Sequence, residues 1–163
     1  MPSYETAYGV EHSADDMFAL AADVASYPEF VPLCSGMEIV SRGTEGDTDW
    51  IEARMSVAAG PFHETFTSRI VLDRKRYSIG VRASDGPFKQ LANDWSFEPL
   101  TEKSCRVRFA LDYEFRSLAL RFALGSVSEN AFGRYAKAFQ DRANKLYGAT
   151  ASQPEIGSES PAG

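Results

Sequence analysis

Residues 117–147 contain no proline and carry apolar groups at helical spacing over their whole length. From Leu124 the larger apolar side chains fall at Leu124, Phe132, Tyr135, Phe139 and Leu146, with Gly125, Ser128, Ala131 and Ala143 on the same face. That is the three-and-four spacing of an amphipathic helix. Asn130, Arg134, Lys137, Asp141 and Lys145 take the opposite face. Ser117 suits the N-cap, and Gly148 follows a last turn whose Arg142 and Lys145 match the negative end of the helix dipole. At 1.5 Å per residue such a helix is about 45 Å long, enough to cross a small domain. A stripe of that length needs a large apolar partner, and the rest of the chain must supply it.

The segments upstream read as a strand, a helix, a broken helix and then a run of strands. SYETAYGVE (3–11) alternates as a strand, and Ser13 with Asp16 three residues on resembles a capping box for a helix reaching Ala21 or Ala22. Two prolines four apart break the segment 23–36 into helical turns. Tyr27, Phe30, Val31 and Leu33 make this connection apolar, so it must pack over something. From Met37 the period becomes two. Ile51, Ala53, Met55 and Val57 share a face, as do Phe62, Glu64, Phe66, Ser68 and Ile70. Tyr77, Ile79 and Val81 follow, then Leu91, Asn93, Trp95 and Phe97, then Cys105, Val107, Phe109, Leu111, Tyr113 and Phe115. Glycine and acidic turns at GTEGD, Gly60-Pro61, Asp73-Arg74-Lys75 and Asp85-Gly86-Pro87 separate the strands. Each strand has one polar face. The fold class is therefore α+β, a curved antiparallel sheet of about six to seven strands covered on one side by helices.

Composition sets the remaining bounds. With 44% hydrophobic and 25% charged residues, the chain has the content of one globular domain, placed at 1–147. The tail 148–163 offers Ile156 as its one large apolar residue and is expected to be disordered. The net charge is −6, of which Glu155 and Glu159 contribute −2, and no basic run exists, which argues against direct nucleic-acid binding. The N-terminus lacks the pattern of a signal peptide and no apolar run is long enough to span a bilayer, so a cytoplasmic location is expected. Cys34 and Cys105 are expected to be reduced thiols.

Three segments together carry a family resemblance: DVASYPEFVPLC (23–34), DGPFKQLANDWSFEPL (85–100) and AFQDRANKLYG (138–148). They closely resemble the START-like coenzyme Q-binding proteins, a group that shares its signature with the bacterial ribosome-association toxins and belongs with the polyketide cyclases. Where many members have an aromatic residue before the cysteine, this chain has Leu33. The resemblance implies a helix-grip fold in which the sheet wraps the C-terminal helix, two short helices follow the first strand, and an elongated apolar tunnel lies between sheet and helix. It places Tyr27 to Leu33 near the mouth. It also implies ubiquinone or a related polyprenylated quinone as ligand, carried rather than transformed, with no tightly required cofactor.

On this reading the tunnel is lined by Phe30, Val31 and Leu33 at the mouth, by Met55, Val57, Phe62, Phe66, Leu91, Trp95, Phe109, Leu111 and Tyr113 from the sheet, and by Phe132, Tyr135 and Phe139 from the helix. For the three helix aromatics the alternative is plain core. Strict alternation also points Glu64 inward, where a carboxylate needs a partner, unless a bulge or strand end releases it to solvent. Glu64 or Asn93 is the candidate anchor for a quinone head group. No metal site is expected, because His12 and His63 sit among charged neighbours and no ligand-spaced motif occurs. Cys34 lacks a neighbouring base and reads as a small buried hydrophobe. A catalytic alternative would have to pair Glu64 with Asp94. The nearly all-apolar SLALRFALG (117–125) suits a sealed helix end, a dimer contact, or transient contact with a membrane surface at its inner face. The functional expectation is non-catalytic quinone binding in support of respiratory electron transport, with a ribosome-associated interaction protein as the second reading and a cyclase-type enzyme as the third.

Overall fold

The computed structural model describes residues 3–148, with the side chains of 126–130 and 132 not described. The expected tail therefore lies outside the described residues beyond Gly148. Strand β1 (Ser3–Val10) leads into helix α1 (Ala14–Ala22) and a 3₁₀ turn (Val24–Glu29). Six strands follow, β2 (Cys34–Glu45), β3 (Thr48–Ala59), β4 (Phe62–Asp73), β5 (Ser78–Ala83), β6 (Phe88–Thr101) and β7 (Ser104–Phe115), and helix α2 (Leu118–Tyr147) ends the fold. The sheet has seven strands in the order β1-β7-β6-β5-β4-β3-β2, every neighbouring pair antiparallel. Strands β2 to β7 form a meander because short turns join each to the next, and β1 adds to the free edge of β7.

The helix boundaries follow from their caps. The Ser13 hydroxyl accepts from the Asp16 amide at 3.0 Å at the start of α1, and the Ser117 hydroxyl accepts from the Leu120 amide at 3.2 Å at the start of α2. Gly148, with φ 88°, takes the left-handed turn that ends α2. Pro28 lies inside the 3₁₀ turn, which the Tyr27 carbonyl closes by accepting from both Phe30 and Val31 amides. The inner face of the sheet buries Ile51, Ala53, Phe66, Ile70, Ile79, Trp95, Phe97, Val107, Phe109 and Tyr113. From α2, Leu124, Ala131, Phe139 and Ala143 are buried over it. Met17, Phe18, Leu20 and Ala21 of α1 fill the flank, where α1 meets α2, β6 and β7. The result is a helix-grip arrangement, a curved sheet with α2 lying against its concave side.

Four positions differ from the sequence reading. His12 is only 6% exposed and its Nε2 lies 2.7 Å from Asn144 Oδ1, so it ties the β1–α1 junction to the end of α2. Its neighbour Glu11 takes the solvent side, so charge next door says little about a residue of opposite parity. Leu146 keeps the helical phase of the buried stripe yet is 51% exposed, because no described residue covers the last turn at that azimuth. Tyr77 precedes β5 with a positive φ of 51°, which takes it out of strand alternation. It lies against Phe18, ring centroids 6.4 Å apart, and donates its hydroxyl to Asp15 at 2.9 Å. Asp94 faces out and pairs with Arg82 at 3.1 Å, away from Glu64.

Candidate functional site

Between the concave face and α2 lies an apolar cavity of about 140 Å³. Its wall draws on β2, β3, β4, β5, β6, β7 and α2, and on the 3₁₀ turn and the loop after it. Of the residues expected to line it, Val31, Leu33, Met55, Val57, Phe62, Glu64, Phe66, Leu91, Asn93, Trp95, Phe109, Leu111, Tyr135 and Phe139 do so. Phe62 lines the cavity and is 38% exposed, which puts the opening beside the β3–β4 hairpin, across from Leu33. Leu33 itself has φ 68°. In a non-glycine residue that conformation costs roughly 1–2 kcal/mol, held here by the Ala58 amide, which donates to the Leu33 carbonyl at 3.0 Å.

Phe30 and Tyr113 stand behind the wall. The Phe30 ring packs on Phe139 at 5.0 Å and on Tyr27 at 5.9 Å, with the Arg142 guanidinium 5.1 Å over its other side. Tyr113 is screened by Phe88, 6.2 Å away, which itself lines the cavity. Phe132 has its side chain outside the described residues. The wall also includes residues not anticipated. Ser68, Ile70, Ile79 and Val81 share the inward parity of their strands, so alternation alone identifies them. Phe88 does not: a register shift between Phe88 and Gln90 turns it inward although Leu91, three residues on, is inward too.

Close ring contacts fill much of the space between sheet and helix: Trp95 meets Phe109 and Phe139 at 4.7 Å each, and Phe66 meets Phe88 at 5.0 Å. A dry apolar cavity of about 150 Å³ takes up benzene, so the open space here suits one aromatic ring and not a long isoprenoid chain.

Polar groups in the wall are few. Asn93 Nδ2 donates to the Ala110 carbonyl at 2.9 Å, and Asn93 Oδ1 accepts from Trp95 Nε1 at 3.0 Å, so this amide chiefly sets the indole. The Tyr27 hydroxyl donates to the Ala21 carbonyl at 2.5 Å. Burial pushes the Tyr27 and Tyr135 hydroxyls well above the ordinary tyrosine value, and both stay neutral across the physiological range. Cys34 is a buried thiol pushed up to about 11 by burial, the reverse of an activated nucleophile. Glu64 lines the cavity, without the bulge that would have released it to solvent. Among the described residues neither Glu64 nor Ser68 has a side-chain partner. Among the same residues no three His, Cys, Asp or Glu side chains are grouped to hold a metal.

Outside the cavity, the first turns of α2 expose Leu118 and Phe122, the latter 84% accessible. Among the described residues no helix is long and apolar enough to cross a membrane.

Residues 10–140 match a family described as polyketide cyclase / dehydrase and lipid transport. Over 149 residues, 91% of each chain, the sequence is 36% identical to the ribosome association toxin RatA of Escherichia coli. It is 34% identical to the mitochondrial coenzyme Q-binding protein COQ10 of Drosophila melanogaster over 67% of this chain and 45% of that protein. Among solved structures, the Zhui aromatase/cyclase of a Streptomyces species superposes with a TM-score of 0.77 at 21% identity, covering 93% of this chain and 99% of that one. A START superfamily protein of Mycobacterium smegmatis superposes with a TM-score of 0.73 at 20% identity, covering 88% and 98%. These two likenesses concern the fold.

Proposed function

This chain belongs to the polyketide cyclase / dehydrase and lipid transport family, and we propose that it binds ubiquinone or a related polyprenyl quinone without transforming it, in support of respiratory electron transport. The observation that carries the reading is the cavity: ring-sized, walled almost wholly by apolar side chains, and open at one end beside Phe62. The similarity to a coenzyme Q-binding protein supplies the ligand class. In this reading the quinone ring sits among Phe66, Trp95 and Leu111, and the isoprenoid tail leaves past Phe62 and Leu33. A buried ring removes on the order of 150 Å² from water, worth roughly 4 kcal/mol at 25 cal/mol per Å². That alone is near millimolar affinity, so the tail must contribute the rest from outside the cavity.

Leu118 and Phe122 are the apolar groups placed for that contribution, touching a membrane surface at its inner, cytoplasmic face while the tail passes. The catalytic pairing of Glu64 with Asp94 is disfavoured, since Asp94 is paired with Arg82 on the outer face of the sheet while Glu64 lines the cavity. The second reading is association with ribosomal subunits, favoured by the similarity to RatA across nearly the full length. With a net charge of −6, contact through ribosomal protein would suit the chain better than contact through RNA.

The test is organic extraction of the protein purified from its native host, followed by mass spectrometry. Quinone at near one equivalent per chain is the expected result. Repeated absence of quinone would overturn the reading, and co-sedimentation of that lipid-free protein with ribosomal subunits would establish the second.

A further inference from the structure

The polar groups of the cavity are unequally supplied with partners, and the difference bears on which form of a ring ligand fits. This step rests on the quinone-ring reading above. Asn93 and Tyr27 spend their main hydrogen-bonding groups on Ala110, Trp95 and Ala21. Two side chains on the inner face of β4 do not. Ser68 is 5% exposed and Glu64 half-buried, both line the cavity, and neither has a side-chain partner among the described residues. Four residues apart on a strand, they stand roughly 13 Å from one another, so each meets a ligand separately. Ser68 lies at the deep end, and Glu64 is toward the Phe62 opening.

The chemistry of the two groups differs. A serine hydroxyl donates or accepts, and so serves a carbonyl or a hydroxyl equally. A carboxylate only accepts. A quinone ring carries carbonyl oxygens, which also only accept, so a carbonyl turned toward Glu64 finds no hydrogen bond and a repulsive oxygen. A hydroquinone carries O–H groups that donate, and a hydrogen bond to a charged acceptor is among the stronger ones available in a low-dielectric site. We propose that the cavity discriminates between the redox states of its ring ligand and takes the hydroxyl-bearing hydroquinone in preference to the quinone, with Glu64 as the acceptor that reads the difference. The protein moves no electron in this scheme. It holds the reduced form and thereby raises the reduction potential of the bound couple.

The experiment is an anaerobic calorimetric titration of the full chain with one-isoprene ubiquinone and, separately, with its hydroquinone. The hydroquinone is expected to bind about tenfold tighter or more, equivalent to a rise of about 30 mV in the midpoint of the bound two-electron couple per tenfold. Glu64→Gln should bring the ratio toward one, because an amide offers both a donor and an acceptor and so costs the hydroquinone more affinity than the quinone. Equal binding of both forms by the unaltered chain, or a preference that survives Glu64→Gln, would overturn the inference and leave the ring site standing. Failure of both forms to bind at millimolar concentration would overturn the ring site and this inference with it.

Discussion

Single residues decide how the cavity floor is held. Gly86 has φ 61°, and a Cβ there would run into the Thr65 carbonyl. The turn around it is tied by Arg116, whose guanidinium donates to the carbonyls of Gly86, Ser84 and Phe88 at 3.2, 2.8 and 3.0 Å. Asp85 adds a further tie by accepting the Thr67 amide at 2.8 Å. Because Pro87 and Phe88 of the wall follow directly, Gly86→Ala is expected to cost more than about 2 kcal/mol, the left-handed penalty and the clash acting together. Urea unfolding measures this, and an unchanged midpoint would show the turn adapts freely. The sequence marks 85–87 as a turn from its glycine and proline, but the Arg116 clasp is non-local and has no sequence signal. Glu64 marks the same boundary from the other side: alternation points it inward, whereas its lack of a partner among the described residues is a matter of tertiary packing that alternation does not encode.

At the scale of elements, periodicity was a good guide wherever a strand stayed regular. The inward sets of β3, β4 and β7 are buried or line the cavity as their parity requires. It misleads where the backbone departs from two-residue repeat, as at the register shift that turns Phe88 inward and the positive φ that removes Tyr77 from β5. For α2, the caps at Ser117 and Gly148 were legible because capping is local, while the exposure of Leu146 was not, because it depends on what lies above the last turn. The other end of α2 carries the proposed membrane contact. Leu118 and Phe122 are exposed at 65% and 84%, so a Leu118→Ser/Phe122→Asp double variant should leave stability within about 0.5 kcal/mol of the parent. Sedimentation with phosphatidylethanolamine–phosphatidylglycerol vesicles should fall at least about tenfold, since each side chain buries surface worth on the order of 1.5–3 kcal/mol. Undiminished vesicle binding would remove α2 from the membrane contact.

For the whole molecule, the architecture explains why the open space is small. A sheet curved around one helix brings aromatic side chains from both layers into edge contacts, as at Trp95 with Phe109 and Phe139, and these close most of the volume between the layers. What remains, about 140 Å³, has the volume of one aromatic ring, so in the proposed complex a long tail would lie outside it. The family resemblance in the sequence carried the fold, whereas the open volume between the layers depends on packing that no motif encodes. The same packing fixes where a bound ring must lie. The most direct test of that placement is an isotope-filtered NMR experiment on the protein with one-isoprene ubiquinone. Nuclear Overhauser contacts from the ring methyl and methoxy protons to Phe66, the Trp95 indole and Leu111 are the predicted result. Contacts confined to the outer face of the sheet, or none at all with ligand bound, would contradict it.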